Sequence, residues 1–162
     1  MSTKCVSQCP SCGTVCASFP VTDADSATYY TSKRCTVIHG DLFVTNIPSS
    51  VFEELLLDLF SDVRAIRGNI YVNNNLFLTS LSFLGNLTSV NGISLLNNPN
   101  LVDASLPSLT SLNGDVTVKG CFRLCPARYP RLSTDPVPAT SQSTTSRCPN
   151  LKVCLSSLSI HG

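Results

Sequence analysis

The apolar residues in the middle of the chain recur at one fixed spacing. Three successive segments approximate the pattern L-x2-L-x2-[VIL]-x-G, followed by a short run of alternating apolar and polar residues, then Asn or Gly, then a Leu four residues later. Ile70, Ile93 and Val116 open the alternating runs 23 residues apart, and three further columns share that spacing. Agreement between independent columns predicts an internal structural repeat.

A repeat of this length, rich in Leu and Asn, is typical of a parallel β-solenoid. Equivalent strand positions would stack about 4.8 Å apart, so each apolar column fills the interior. These columns are Leu42, Ile70, Ile93 and Val116, and Val44, Val72, Leu95 and Val118. An α-helical solenoid is the alternative, but short alternating runs bounded by Asn and Gly argue against it. We therefore predict a mainly β fold, a right-handed parallel β-helix (leucine-rich solenoid) of about four rungs with short capping helices.

The predicted turns carry recurring asparagines and glycines. Stacked asparagine amides are expected to satisfy turn backbone groups that would otherwise be unpaired. These asparagines are Asn46, Asn74 and Asn97. Glycines before the strands mark corners where a positive φ is expected. These glycines are Gly68, Gly92 and Gly114.

Two segments carry helix-start signals. Residues 22–25 (TDAD) and 50–53 (SVFE) both have the spacing of a capping box. The first predicts a short helix over residues 26–33, and the second predicts an apolar helical turn up to Phe60. Because a solenoid exposes apolar core at its ends, we expect the segment 22–34 and the cysteine clusters to cap it.

The nine cysteines fall in two terminal groups, five up to Cys35 and four from Cys121 onwards. Disulfides that tie down the ends of a core produce such a distribution. A zinc site in the amino-terminal C-x3-C-x2-C-x3-C run is the alternative, although tetrathiolate sites usually have two pairs a dozen or more residues apart. We predict disulfides and no metal site, with at least one cysteine left over by the odd count.

The charge balance excludes two classes of partner. The chain has 11 Lys and Arg against 10 Asp and Glu, with no basic block. Binding to nucleic acid or to a membrane surface through basic clusters needs such a block. No apolar run approaches the roughly 18 residues of a transmembrane helix, and no signal-peptide core is present. Since the cysteines favour the secretory pathway, we expect a piece of a longer extracellular protein.

The repeats resemble the receptor L-domain, the solenoid module of the insulin receptor and epidermal growth factor receptor families. Residues 35–44, CTVIHGDLFV, follow that family's opening C-x-V-I-x-G-x-L-x-I, and residues 63–72, VRAIRGNIYV, resemble its I-I-R-G segment. Residues 114–125 resemble its last strand and closing cysteine. The flanks, residues 9–16 and the segment from Cys148, resemble furin-like cysteine-rich modules.

The resemblance implies three regions. Residues 1–16 would end a cysteine-rich module, residues 17–132 would form the L-domain, and residues 133–162 would hold a Ser/Thr/Pro-rich loop and the start of a following cysteine-rich segment. Cys121 departs from the pattern, which usually has Asn or another polar residue there, and the chain has no Trp. A divergent relative is therefore expected rather than a close vertebrate receptor.

The resemblance also implies a disulfide framework. Cys16 would bond to Cys35 and staple the first helix, and Cys125 would bond to Cys148 or Cys154. Such bonds belong to an extracellular or cell-surface setting.

Catalytic chemistry is not predicted. No G-x-S-x-G, Walker-type loop or H-E-x-x-H occurs. Asp41 and Asp115 would face outward about 14 Å apart at the strand spacing, too far for a glycosidase pair. His39 and the acids of the second helix, Glu53, Glu54 and Asp58, are expected to be solvated. We predict no catalytic residue and no cofactor, which leaves a solenoid carbohydrate enzyme as the least favoured alternative.

The outward strand positions form a candidate binding face. Phe43, Tyr71 and Leu96 would make an exposed apolar patch of the kind that anchors protein interfaces. The alternative is that flanking loops cover them. L-domains of the resembled family use this sheet face for polypeptide ligands, which favours binding. The candidate ligand-binding residues are Phe43, Tyr71, Asn73, Leu96, Thr117 and Lys119.

We therefore predict an extracellular module of a growth-factor-receptor-like protein. It would hold a polypeptide ligand or a neighbouring receptor domain non-covalently, and any kinase would lie beyond this chain. The alternative is a structural cell-surface or cell-wall solenoid protein, in which residues 133–147 would form an O-glycosylated stalk. Asn86, in the sequon Asn-Leu-Thr, is the candidate N-glycosylation site, at an outward corner.

Overall fold

The computed structural model describes residues 13–125 and 128–130. They form nine short strands, two α-helices and one 3-10 turn. In chain order these are β1 (Val15–Ala17), α1 (Ala24–Thr31), β2 (Val37–His39), β3 (Leu42–Thr45), α2 (Val51–Phe60), β4 (Ala65–Ile66), β5 (Ile70–Asn73), the 3-10 turn (Ser82–Leu84), β6 (Ser89–Val90), β7 (Ile93–Leu96), β8 (Ser111–Leu112) and β9 (Val116–Lys119). Residues 1–12, the predicted loop from residue 133, and Cys148 and Cys154 lie outside the described residues.

The strands form two parallel sheets. Sheet A has the order β1-β2-β4-β6-β8, and sheet B has the order β3-β5-β7-β9. In sheet B, Leu42 pairs with Ile70, Ile70 with Ile93, and Ile93 with Val116. The repeat seen in the sequence is therefore the spacing between hydrogen-bonded neighbours. The fold is mainly β and solenoid-like, as predicted.

Sheet A was not anticipated as a sheet. Its strands are two or three residues long, too short for an alternating pattern to stand out. Its inward column is Ile38, Ile66, Val90 and Leu112, whose numbers differ by 28, 24 and 22. Ile66, Val90 and Leu112 occupy the [VIL] position of the repeat pattern, but their varying spacing gave no indication that they pair as a second sheet.

Burial confirms the two interior columns of sheet B. Leu42, Val44, Ile70 and Val72 are fully buried, and Ile93 is only 2% exposed. Burying a side chain of this size contributes about 1.5–3 kcal/mol. The inward residues of β9 are half-buried instead. The core is therefore continuous through the first three repeats and opens at the last strand.

The turn after each strand of sheet B contains a residue in the left-handed conformation. Asn46, Asn74 and Asn97 have φ values of 54–56°, and Gly120 takes the same place with φ 67°. Asn and Gly are the residues that tolerate this conformation best. Nδ2 of Asn97 donates to Oδ1 of Asn74 at 3.1 Å. We predicted that these asparagines would bond the turn backbone, but the residue that follows each of Asn74 and Asn97 does so instead.

The amides that bond the turn backbone belong to Asn75 and Asn98, both fully buried. Asn75 accepts the N–H of Ile47 at 2.9 Å and donates to the carbonyl oxygen of Val44 at 3.0 Å. Asn98 accepts the N–H of Asn75 at 3.1 Å and donates to the carbonyl oxygen of Val72 at 2.7 Å. The side chains of Asn74 and Asn97 do bond to each other, but the predicted backbone-bonding role was wrong by one residue, because the left-handed residue and the residue with the bonding amide are adjacent and are both Asn.

Cys121 continues this buried column in the last repeat. Its Sγ lies 3.7 Å from the carbonyl oxygen of Leu95 and 3.6 Å from that of Lys119. The thiol of Cys121 thus occupies the position that an asparagine amide has in the earlier repeats, and a thiol is a weaker hydrogen-bond donor than an amide. Burial raises the pKa of the Cys121 thiol, and its sulfur is not in a disulfide.

Gly68, Gly92 and Gly114 are needed for space rather than for a positive φ. The described glycines with positive φ are Gly40 and Gly120. A Cβ on Gly68 would stand 2.5 Å from the carbonyl carbon of Gly40. A Cβ on Gly114 would stand 2.9 Å from the carbonyl oxygen of Asn91. The backbones of successive repeats approach each other at these corners, so the expectation of a positive φ was wrong.

α1 begins at a capping box formed one residue later than predicted. Oδ1 of Asp23 accepts the N–H of Ser26 at 2.8 Å, and Oγ of Ser26 accepts the N–H of Asp23 at 3.0 Å. Hydrogen bonds to the Asp23 carboxylate from the Ser26 backbone N–H and from the Ser26 hydroxyl hold the pKa of Asp23 below its usual value. Asp23 and Ser26 therefore form the capping box that was predicted for Thr22 and Asp25.

Tyr30 and a disulfide fix α1 over the amino-terminal end of the core. The Tyr30 hydroxyl donates to the carbonyl oxygen of Phe19 at 2.8 Å and accepts its N–H at 2.9 Å. Burial raises the pKa of Tyr30 to about 12. Cys16 in β1 is bonded to Cys35 after α1, which confirms the predicted pairing.

α2 forms where predicted, but its capping box does not. The Ser50 side chain makes no capping hydrogen bond. Oε1 of Glu53 instead accepts the N–H of Ser80 at 2.8 Å and the hydroxyl of Thr79 at 3.0 Å. The helix thus anchors the loop that follows β5. No helix in the described part of the chain has the length and apolar character needed to cross a bilayer.

Candidate binding face

The outer face of sheet B is built from two columns of side chains. Side chains alternate along a strand, so the residues between the buried columns point outward. One column is Phe43, Tyr71, Ser94 and Thr117, and the other is Thr45, Asn73, Leu96 and Lys119. The structure places all six predicted ligand-binding residues on this face. Their role in binding stays a prediction.

Phe43 and Tyr71 form a stacked pair across two strands. Their ring centroids are 5.0 Å apart and their planes differ by 10°. The Tyr71 hydroxyl accepts a hydrogen bond from Nδ2 of Asn69 at 3.3 Å. Both rings are half-buried, since each covers one face of the other. The pair is partly covered, whereas an exposed patch was predicted.

The second column is polar around Leu96, which is half-buried. Oδ1 of its neighbour Asn73 is buried and has no hydrogen-bond partner in the described part of the chain. An unpaired buried acceptor costs roughly 1–3 kcal/mol. Lys119 at the end of β9 is exposed. The ion pairs among described residues, Arg34–Asp62 and Arg128–Asp103, do not involve it.

Large apolar side chains more exposed than those of this face lie in the turn beside it. Leu76 is 59% exposed and Phe122 is 57% exposed, each one residue after the buried column of Asn75 and Cys121. Phe77 beside Leu76 is 47% exposed. We call Leu76, Phe77 and Phe122 the turn patch. Sequence analysis missed it because the outward positions were counted only along the strands.

The outer face of sheet A is different in character. Its central column is Val15, Val37, Ala65, Ser89 and Ser111. These side chains are small, and no aromatic residue stands among them. His39 at the end of β2 is exposed. Sheet A thus lacks the anchors that sheet B presents.

The described part of the chain shows no cluster of acids, cysteines and histidines of the kind that holds a metal ion. No three of these side chains are grouped there as metal ligands would be. Oδ1 of Asp41 accepts the N–H of Asn69 at 2.7 Å, a structural role. A cleft of about 320 Å³ beside α1 and α2 is lined by Tyr30, Arg34, Asp58, Leu59, Ser61 and Asp62. Its Arg34–Asp62 pair is exposed to solvent, and the raised pKa keeps Tyr30 neutral there.

Cys125 is also disulfide-bonded. Its partner lies outside the described residues, since Cys16 is bonded to Cys35 and Cys121 is free. The predicted choice between Cys148 and Cys154 therefore stays a prediction.

Asn86 is exposed just after the 3-10 turn. Its Nδ2 donates to the carbonyl oxygen of Ser61 at 2.8 Å. The sequon hydroxyl, Oγ1 of Thr88, donates to the carbonyl oxygen of Arg64 at 2.8 Å. The acceptor amide thus stands at the surface.

Comparison with known proteins identifies the family. A family model for the receptor L domain matches residues 34–134, more than half of the chain. The chain belongs to the receptor L domain family. The resemblance of the repeats to the receptor L domain is confirmed, and this domain type is a binding module. The resemblance of the flanks to furin-like modules stays a prediction.

One curated relative of the chain is a cell wall protein. The cell wall protein ecm33 of Schizosaccharomyces pombe is 31% identical over 102 residues, which cover 60% of this chain and 23% of ecm33. The match therefore spans less than a quarter of that relative's length. No solved structure matches the chain.

Proposed function

We propose that this chain is an extracellular or cell-surface binding module that holds a polypeptide partner on the outer face of sheet B. The observation that carries the proposal is the stacked Phe43–Tyr71 pair, with Leu96 in the next column. The proposed domain is residues 17–132, folded as a right-handed β-helix of about four rungs. Membership of the receptor L domain family supports a binding role.

The physical argument rests on preorganisation. Rings that are already stacked lose little side-chain freedom when a partner arrives, so less of the contact energy is offset by ordering. Lys119 offers a positive charge to an acidic group of the partner. The turn patch would extend the apolar contact beyond the sheet.

The test is a binding titration with a matched control. Peptides selected from a displayed random library on the immobilised domain are titrated against the wild type and against the Phe43→Ala/Tyr71→Ala variant. Loss of two central aromatic anchors, each worth about 2 kcal/mol, predicts binding weaker by a factor on the order of 1,000. The control is Phe19→Ala/Tyr29→Ala, which removes another stacked pair with centroids 5.1 Å apart. Equal affinity for the folded sheet B variant would contradict the proposal.

A structural role in a cell wall is the second candidate, favoured by the similarity to the cell wall protein ecm33. Co-sedimentation of the domain with walls isolated from Schizosaccharomyces pombe tests it. Wall binding that survives the Phe43→Ala/Tyr71→Ala substitutions, together with no peptide selected on sheet B, would favour this candidate over the first.

In either setting we propose that Asn86 carries an N-linked glycan, because its amide stands exposed within a sequon. Protein secreted from a eukaryotic host should lose mass on enzymatic deglycosylation, and Asn86→Gln should abolish that loss. Unmodified wild-type protein from such a host would refute it.

A further inference from the structure

One position of the turn is apolar in every described repeat. It comes directly after the buried column that contains Asn75 and Cys121, and its residues are Pro48, Leu76, Pro99 and Phe122. Leu76 and Phe122 are the two most exposed large apolar side chains in the part of the chain that the structure describes. Exposed apolar side chains that are grouped in this way are typical of a contact surface, whereas single ones are ordinary.

The charges next to the turn patch are positive. Arg123 directly follows Phe122, Lys119 ends the strand before the turn, and both are exposed. Nη1 of Arg123 lies 3.4 Å from Oδ1 of Asn100, and neither cation belongs to an ion pair within residues 13–125 and 128–130. A complementary partner therefore presents an apolar side chain with acidic side chains beside it.

The solvent face of α2 has that composition. Leu57 is 40% exposed, and Glu54 and Asp58 are exposed acids. Glu54 is three residues before Leu57 and four before Asp58, so the three side chains lie on one face of the helix. Neither acid belongs to an ion pair among the residues that the structure describes.

We propose that the turn patch of one copy of this chain binds α2 of a second copy. Leu57 of the second copy packs against Leu76 and Phe122, and the acids of its α2 lie beside Lys119 and Arg123. The proposal does not rest on the proposed function, in which a partner on sheet B extends onto the same patch. It gives the turn patch an occupant when no such partner is bound.

The spacing of the repeats suits a helix as the occupant. Successive repeats are about 4.8 Å apart, and successive turns of a helix are about 5.4 Å apart. The two spacings stay nearly in step across three repeats, which is about the length of a ten-residue helix such as α2. An extended strand would present side chains on one face about every 6.7 Å and would lose this match after one repeat.

The two surfaces are different, so the contact is head to tail. Each copy in a pair still offers one free turn patch and one free α2, and further copies can add to form open chains. The contact has few apolar anchors and is small, so we expect association with a dissociation constant on the order of 100 µM.

Sedimentation velocity of the full chain, with free thiols blocked by iodoacetamide so that no new disulfides form, tests the association. The mean sedimentation coefficient should rise between about 10 µM and about 1 mM protein. Phe122→Asp and Leu57→Asp should each weaken association at least 10-fold. Val15→Asp, a matched change at a 55% exposed position of sheet A, should leave it unchanged. A wild type that stays monomeric at the highest concentration, or an equal loss in Val15→Asp, would overturn the proposal.

Mixing the two variants distinguishes a head-to-tail contact from a symmetric one. Phe122→Asp keeps an intact α2 and Leu57→Asp keeps an intact turn patch, so an equimolar mixture should form one-to-one complexes that grow no further. No complex in the mixture would overturn the proposal. Association that is lost in Phe122→Asp but kept in Leu57→Asp would also overturn it, by identifying a contact between two turn patches.

Reversing the charges tests which groups meet. Lys119→Glu/Arg123→Glu should weaken association at least 10-fold, and mixing this variant with Glu54→Lys/Asp58→Lys should restore it. No recovery in the mixture would overturn the proposal. These measurements use no ligand, so their failure leaves the proposed function standing, and failure of the peptide titration on sheet B leaves self-association standing.

Discussion

The two ends of the solenoid-like core are finished in different ways. At the amino-terminal end, α1 lies over the core, Cys16–Cys35 ties β1 to the segment after the helix, and Leu42 and Val44 are fully buried. At the carboxyl-terminal end, Val116 and Val118 in the equivalent positions are half-buried. Within the described part of the chain, the same two columns thus begin under a cap and end in half-buried residues.

This difference shows where the stability of such a fold is placed. In a solenoid each repeat contacts only its neighbours, so an end repeat has half of the contacts of an internal one unless something covers it. The amino-terminal cap restores those contacts with one helix and one covalent bond. Among the described residues, no further strand pairs with the outer edges of β8 and β9, and we expect the last repeat to open first on unfolding.

The largest expected effect comes from breaking the amino-terminal cap. The Cys16→Ser/Cys35→Ser variant should lose about 3 kcal/mol of unfolding free energy, since the bond closes a loop across 19 positions and constrains the unfolded chain. Urea unfolding followed by circular dichroism measures it. Cys121→Ser is the matched control, because it replaces a cysteine whose sulfur is not bonded. A loss no greater in the double variant than in the control would contradict the importance of the cap.

The next prediction compares the two ends of one column. Val44→Ala, at a fully buried position, should destabilise the domain by about 2 kcal/mol, from two lost methyl groups at about 0.8 kcal/mol each plus the cavity left behind. Val118→Ala at the half-buried end should cost less than half of that. Urea unfolding of both variants under the same conditions gives the comparison. Equal costs would mean that the carboxyl-terminal end of sheet B is covered in solution.

The smallest effect at neutral pH concerns Tyr30 in the cap. Its folded pKa of about 12 lies above the ordinary value of 10 because of burial. The neutral form is therefore favoured by folding, and this contribution is fully present below pH 10 and is lost as the pH rises towards 12. Unfolding curves between pH 9 and 12 should show the decline. Tyr30→Phe should show less of it, and an identical decline in that variant would rule Tyr30 out as its source.

Much of sheet B and of the candidate face could be predicted from the sequence. A constant repeat length forces equivalent residues such as Ile70 and Ile93 into hydrogen-bonded register, and alternation then decides that Tyr71 points outward. The exposure of the face could not be predicted in this way. Phe43 and Tyr71 cover each other, and Leu76 and Phe122 are exposed because of how the turn after the strand is folded.

The sequence by itself determined the parallel columns and the two helices, because each depends on spacing along the chain, and the family resemblance implied the Cys16–Cys35 pairing. Only the tertiary structure decided which polar group bonds which partner. Asn75 rather than Asn74 enters the core, and Glu53 bonds Ser80 rather than its own helix end. Neighbouring residues of the same type are alike in sequence, and the backbone conformation of the turn selects the one that faces inward.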